Sequence, residues 1–358
     1  MDNSKNYSFF KEFKAPDGDY RDIVMNYMEK MANQPWVAGE DFEITWKKKG
    51  DFKVELKFEK GKTYYGIPYS QSRSSYDQFL MTLVNGNFTS PTYYYEEMVG
   101  NHCSSSMGLA YQQLIDFPFE GRLMVNTARK GILSFANGLQ KPDGDDYYTQ
   151  DIFDLNGQDK VFEAYSKVLP GDIINKIKPG TGHARMARSV HVEYDETGKI
   201  DPQKSIVYCI EQTNEFDKTR NDRTTTWWID RPYTFEKLWK TNFMPLTLDI
   251  FHTKEPLKDA YIAFDGKNTA ESLKHGVNGT VYSNFPLTYV KATVKDPNDN
   301  TVGCIYKYKF GKQYALELSE FYNELNIDKL PKGKYAFTLR AGIGRGGCDI
   351  EQFEFQIS

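Results

Sequence analysis

Beyond about residue 253 the chain breaks into short alternating segments, and this texture limits the possible folds more than any other feature. "AYIAFDG", "LTYVKATVKD", "NTVGCIYKYKFG", "YALEL", "KYAFTLRAG" and "DIEQFEFQI" follow one another in apolar-polar alternation. A period of two suits a strand, whose side chains alternate between faces, and not the 3.6 period of a helix. Turns of the Asp-Pro-Asn-Asp and Pro-Lys-Gly kind separate the segments. Short strands at this spacing predict an Ig-like all-β sandwich over 253–358. "GIGRGGCD" at 342–349 lacks the lysine of a phosphate-binding loop and joins two of these strands, so it reads as a hairpin.

The first 252 residues mix periods. Asp19 is a candidate N-cap for a helix over about 19–32, with Ile23, Met25, Met28 and Met31 on its buried side, ended by "ANQPW". "DFEITWKKK" and "DFKVELKFEKGK" alternate (Phe52, Val54, Leu56, Phe58) and predict strands. A Gly-Pro turn in "TYYGIPYS" leads to a short helix, and 89–102 reads as loop. A helix from Cys103 to about Leu114 follows, and the polar stretch 120–160 reads as an insertion of surface loops. "KVFEAYSKV" predicts a helix, "LPGD" a turn, and the segment from "GHARMARSV" to "SIVYCIEQTN" a strand-turn-strand with "DETGK" at the reversal. Residues 224–251 close this first, α+β domain.

Composition excludes several classes of function. The 45 basic and 49 acidic residues leave a net charge of −4, and "WKKKG" at 46–50 is too short for a basic stripe, so no nucleic-acid partner is expected. No apolar run reaches the roughly 20 residues of a membrane span, and "MDNSKNYSFFKEFK" lacks the apolar centre of a secretory signal. The 25 Tyr and 24 Phe suit either a packed core or rings along a ligand groove, and Trp227–Trp228 divides the same way. Asp217, Asp222 and Asp230 lack calcium-loop spacing, and "SVHVEYD" has no second histidine for zinc, so neither metal nor cofactor is expected. Of the four cysteines, Cys304 and Cys348 are close enough in sequence to leave a bridge open.

Cys103, in "GNHCSSSMGLAYQQL", is the residue with chemical promise. At the first turn of a helix, unpaired N–H groups and the positive end of the dipole favour thiolate over thiol. A thiolate nucleophile needs an imidazole to pair with and to protonate a leaving amine. Of the five histidines, His102 is adjacent and badly placed, His252 and His275 read as surface residues, and His191 lies far along the strand that His183 opens. His183, after glycine in "PGTGHARMA", is the partner of choice. In the next strand Glu211 interrupts an apolar run, where a carboxylate needs a partner, with Gln212 and Asn214 as competing third residues on the opposite face.

The order of these motifs resembles the papain-like cysteine hydrolases of the NlpC/P60 superfamily, including their CHAP relatives. The likeness covers about 60–215 and rests on "TYYGIPYS" at 63–70, "HCSSS" at 102–106, "PGD" at 170–172, "GH" at 182–183 and "CIEQTN" with Glu211. It implies a papain-like domain over 1–252, helices packed on an antiparallel sheet, followed by the sandwich. It implies hydrolysis of amide bonds in bacterial cell-wall peptides through an acyl-enzyme. Cys103 is then the nucleophile, His183 the base and acid, and Glu211 the residue that fixes the tautomer. Tyr65, Tyr69 and Ser104 become substrate contacts, and the Cys103 N–H helps hold the oxyanion. The family's acid before the cysteine is His102 here, so of the pair that holds a peptide-stem amine only Ser104 carries over. A secreted or cell-surface bacterial protein is expected, monomeric, with its signal sequence outside these residues. The alternatives are a binding or adhesion protein on the same scaffold, or an acyltransferase with the same triad.

Overall fold

The computed structural model describes residues 6–48, 53–119, 132–143, 147–321 and 324–357. Phe52, the end of "WKKKG", and residues 120–131 and 144–146 of the expected insertion lie outside the described residues. The architecture is mixed, mostly antiparallel sheet with few helices.

Helix α1 (Tyr20–Asn33) starts where Asp19 accepts hydrogen bonds from the N–H groups of Arg21 and Asp22, and ends before Pro35. Its buried side is Val24, Met25, Tyr27, Met28, Met31 and Ala32, while Ile23 is only half-buried. Next to it is a small sheet of Thr63–Tyr65, Pro35–Ala38, Asn87–Phe88 and Leu83–Val84. The pair Phe42–Ile44 and Leu56–Phe58 completes this end, and Trp36 there packs against Phe42, Phe58, Tyr64, Phe79 and Phe88. Much of the aromatic excess is thus core, and fully buried Trp227 joins it by donating from Nε1 to the Ile67 carbonyl.

A six-stranded antiparallel sheet carries the rest of this unit. Its order is Trp227–Thr234, Ile206–Gln212, Thr181–His191, Ile173–Lys178, Met244–Leu248 and Leu133–Phe135. After the short α2 (Tyr76–Leu80), helix α3 (Cys103–Tyr111) packs between α1 and the Thr181–His191 strand. The "PGD" turn ties these parts together. Tyr111, at the end of α3, donates to the Gly171 carbonyl at 2.7 Å, and Arg21 of α1 donates to Pro170 O and Asp172 Oδ1. Asp172 also accepts from Thr247 of the sheet at 2.7 Å, so one buried carboxylate joins a helix to a strand.

Two sequence expectations need correction here. The stretch 120–160 is not all surface loop: Leu133–Phe135 forms the sheet edge, and α4 (Thr149–Asn156) lies over Ile173–Lys178, with Thr149 accepting from the Ile177 N–H. Leu133, Ile152 and Phe153 are all buried, a pattern that the polar composition of "KPDGDD" obscures in the sequence. Helix α5 (Gln158–Ser166) follows. Between "PGD" and "GH" the structure inserts a whole strand, Ile173–Lys178, which pairs with the His183 strand.

The C-terminal unit consists of two four-stranded antiparallel sheets about one core. Ile262, Phe264 and Val281 from one meet Val290, Ala292, Val294, Phe337 and Leu339 from the other. "GIGRGGCD" is the reversal between Gly333–Ile343 and Gly346–Ile357, as expected. The boundary at 253 is incomplete, because Phe9–Phe13 crosses back and pairs with Ala260–Asp265 as an edge strand. Phe9 and Phe13 thereby reach the second core. The Cys304–Cys348 bridge is absent: their strands lie at opposite edges of one sheet with two strands between, and all four cysteines are free thiols.

Candidate active site

Helix α3 opens on Cys103 because the chain before it is held by a set of buried hydrogen bonds. Alternate serines of "SQSRSS" are buried: Ser70 donates to the Met98 carbonyl, and Ser72 and Ser74 accept from the Gly100 N–H. Gly100 has no room for a side chain, since a Cβ there would lie 2.4 Å from the Pro68 carbonyl oxygen. His102 is the N-cap, its Nδ1 accepting from the Ser105 N–H at 3.1 Å while Ser105 Oγ accepts from the His102 N–H. Burial and the nearby Arg73 charge hold the His102 ring neutral, its pKa pushed down to about 4.

The Cys103 sulfur touches three donors: the His183 ring and the backbone N–H groups of Ala184 and Ser104. Burial pushes the thiol up, but the His183 charge and these hydrogen bonds outweigh it and bring it below the ordinary value. His183 is the other half of the pair. Burial lowers its pKa, whereas the Cys103 thiolate and Glu211 raise it, to about 9 in balance. Its Nε2 bonds Glu211 Oε2, which leaves Nδ1 for the sulfur, and its ring stands edge-on to Phe243 at 6.2 Å between centroids.

Glu211 is fully buried and saturated. Oε2 accepts from His183 and from Arg185 Nε at 2.9 Å, and Oε1 accepts from Tyr233 and from Arg231 Nη1 at 3.1 Å. Burial alone would raise its pKa, yet these partners hold the carboxyl well below the usual carboxylate range. The Arg185 guanidinium is itself stacked between Tyr233 and Phe243, 3.7 and 3.9 Å from the ring centroids. The competing third residues are engaged elsewhere, Gln212 on the Ile67 carbonyl and Asn214 on the Lys53 carbonyl. The sequence therefore named three residues that the fold brings together, but missed Arg185, Arg231 and Tyr233. Their signal was the alternation of "HAR" and "RPY" on the strands flanking Glu211.

Cys103 and His183 open on a cavity of about 370 Å³. Tyr69 and Ser104, expected as substrate contacts, line it together with Tyr95, whose ring stacks on Tyr69 at 5.4 Å. Tyr65 does not line it. Its N–H is bound to the Thr224 carbonyl and its ring is covered by Arg223 at 4.8 Å, beside a separate small hollow. His191 is exposed and paired with Glu193.

No protein-family model, curated protein or solved structure matches the chain. Among the described residues no group of three or more His, Cys, Asp and Glu side chains is arranged to hold a metal ion, and no helix is long and apolar enough to cross a membrane. The chemistry available is that of a thiolate–imidazolium pair, buttressed by a carboxylate, at the mouth of a cavity.

Proposed function

We propose that the chain is a thiol hydrolase that cleaves amide bonds, of the papain-like NlpC/P60 kind, with bacterial cell-wall peptides as substrates. The observation that carries the reading is the chain of contacts from Cys103 at a helix N-terminus, through His183, to the saturated carboxylate of Glu211. In this mechanism the Cys103 thiolate attacks the scissile carbonyl, and the oxyanion is stabilised by N–H groups at the start of α3. His183 passes its proton to the leaving amine, and the C–N bond breaks to leave a thioester. A water molecule, giving a proton to His183, then hydrolyses the thioester and restores the thiolate. Glu211 holds the ring in the tautomer that points a nitrogen at sulfur. The cell-wall substrate, a secreted or surface location, a monomeric state and an Ig-like reading of the C-terminal unit rest on the resemblance in motif order.

Cys103→Ala is expected to abolish release of new amino groups from peptidoglycan fragments while far-ultraviolet circular dichroism stays unchanged. Equal hydrolysis by the folded variant removes the proposal. Added hydroxylamine separates transfer from hydrolysis, since an acyltransferase yields the hydroxamate in preference to the acid.

A further inference from the structure

Apart from the Cys103 thiolate, the charged side chains that line the cavity among the described residues are all cationic. Arg73, Lys176 and Lys178 face it, and none of the three has a carboxylate partner among the described residues. Arg73 is fixed by donating to the Phe119 carbonyl at 2.8 Å, and Lys176 lies across the ladder from His183. Burial, with Lys178 and Arg185 nearby, destabilises the Lys176 charge. Cations left unpaired beside a low-dielectric wall focus a positive potential into the cleft.

The neutral groups point the same way. With Nδ1 of His102 occupied by the Ser105 N–H, the ring proton resides on Nε2, so His102 offers a donor where a carboxylate would offer an acceptor. Asn175 also borders the cavity, although its side chain is buried, 2% exposed. It is the cross-strand neighbour of Ala184, whose N–H touches the Cys103 sulfur. Nearby acids are committed: Glu211 to four donors, Glu96 to the N–H groups of Lys47 and Lys48, and Glu97 to the Lys47 ammonium.

We infer that the site selects substrates with a carboxylate flanking the scissile amide and turns away those with a free amine there. This rests on the hydrolase reading for the word substrate, but not for the preference itself. Carboxylate against Arg and Lys forms charge-assisted bonds, and an ammonium in the same place meets like charge with no carboxylate among the described lining residues to hold it.

Alkylation of Cys103 tests the preference without any hydrolysis. Rates are measured with iodoacetate and iodoacetamide, which differ in charge at equal reach, for the wild type and for Lys176→Gln/Lys178→Gln. His183 is present in both proteins and cancels. The iodoacetate-to-iodoacetamide ratio is expected to fall by about tenfold in the double variant, and to fall in the wild type on going from 0.02 to about 0.5 M salt. A ratio unmoved by both changes overturns the inference. In a second arm, peptides with a carboxylate or a carboxamide beside the scissile bond are compared. An anion preference in alkylation with no turnover of either peptide removes the hydrolase reading and leaves the anion site. Turnover of both at equal kcat/KM removes the anion site and leaves the hydrolase.

Discussion

Glu211 holds one proton-transfer residue and two arginines in place with a single buried charge. Replacing it by glutamine keeps the shape but turns one acceptor into a donor that must face either Arg185 and His183 or Arg231 and Tyr233. The His183 cation then loses its carboxylate, so its pKa falls from about 9 toward the ordinary value. The reactive species is thiolate with imidazolium, so the sign follows directly. Reactivity rises as the Cys103 thiol ionises and is lost as pH climbs through the His183 value. Wild type is expected to show a bell-shaped kcat/KM profile with its alkaline limb near 9. In Glu211→Gln that limb moves to lower pH and the maximum falls by about 10² or more. An alkaline limb left in place would show that Glu211 does not act on the ring. Uncompensated Arg185 and Arg231 charges also cost the variant about 3–5 kcal/mol of stability. At this scale the sequence was informative where a rule of physical chemistry singled out one side chain. A carboxylate inside "SIVYCIEQ" needs a partner, and a cysteine opening a helix is activated. Arg73 escaped notice because a polar residue in polar surroundings, "SQSRSS", carries no such contrast; only folding puts it on the cavity wall.

Helix α3 depends on a histidine for its cap, which gives the element its own pH response. The His102 pKa is lowered to about 4 in the fold, against 6.5 in the unfolded chain. Between those values the unfolded state binds more protons, so stability falls as pH drops through that window and is full above it. The His183 pKa, raised above 6.5, acts in the opposite sense and only at higher pH. His102→Asn retains an acceptor for the Ser105 N–H and removes the titration. Its urea stability at pH 7 is expected within about 1 kcal/mol of wild type, whereas His102→Ala loses about 1 kcal/mol or more. The drop in stability from pH 7 to 5 should shrink in both; an undiminished drop would assign that acid sensitivity to other groups. Helices α1, α3 and α5 were legible because their boundaries and periods are local, whereas α4 was hidden in the polar stretch read as loops. The Ile173–Lys178 strand was not legible, since "IINKIKPG" breaks its alternation with Asn175 and Lys176, both of which line the cavity.

Across the whole molecule, the C-terminal unit supports the far end of the nucleophile helix. The Gly344–Arg345 reversal reaches the carbonyls beyond α3, where Arg345 donates from Nε to Gln113 O at 3.0 Å and from Nη2 to Leu114 O at 3.1 Å. Nη1 donates to Lys258 O at 2.7 Å, and Gln113 returns a bond to Gly344 O at 2.8 Å. A cation on these carbonyls opposes the negative end of the helix dipole. Gly344 permits the approach, since a Cβ there would come 2.3 Å from Gln112 Oε1. The hairpin was readable from "GIGRGG", but its docking was not, because nothing local encodes a contact spanning more than 200 residues; the return of Phe9–Phe13 to the second core escapes for the same reason. If the clamp holds α3 in register with His183, Arg345→Ala should act at both ends of the helix. Three bonds from a charged donor are lost, each worth about 1.5–3 kcal/mol in isolation and less together. Calorimetry is expected to give a single transition at lower Tm, and Cys103 should alkylate more slowly at pH 7 with its acid limb shifted upward. Arg345→Lys restores charge but not the fork, and should recover stability only in part. A variant that is less stable but keeps the wild-type pH profile of alkylation would confine Arg345 to joining the two units, with no part in setting the nucleophile.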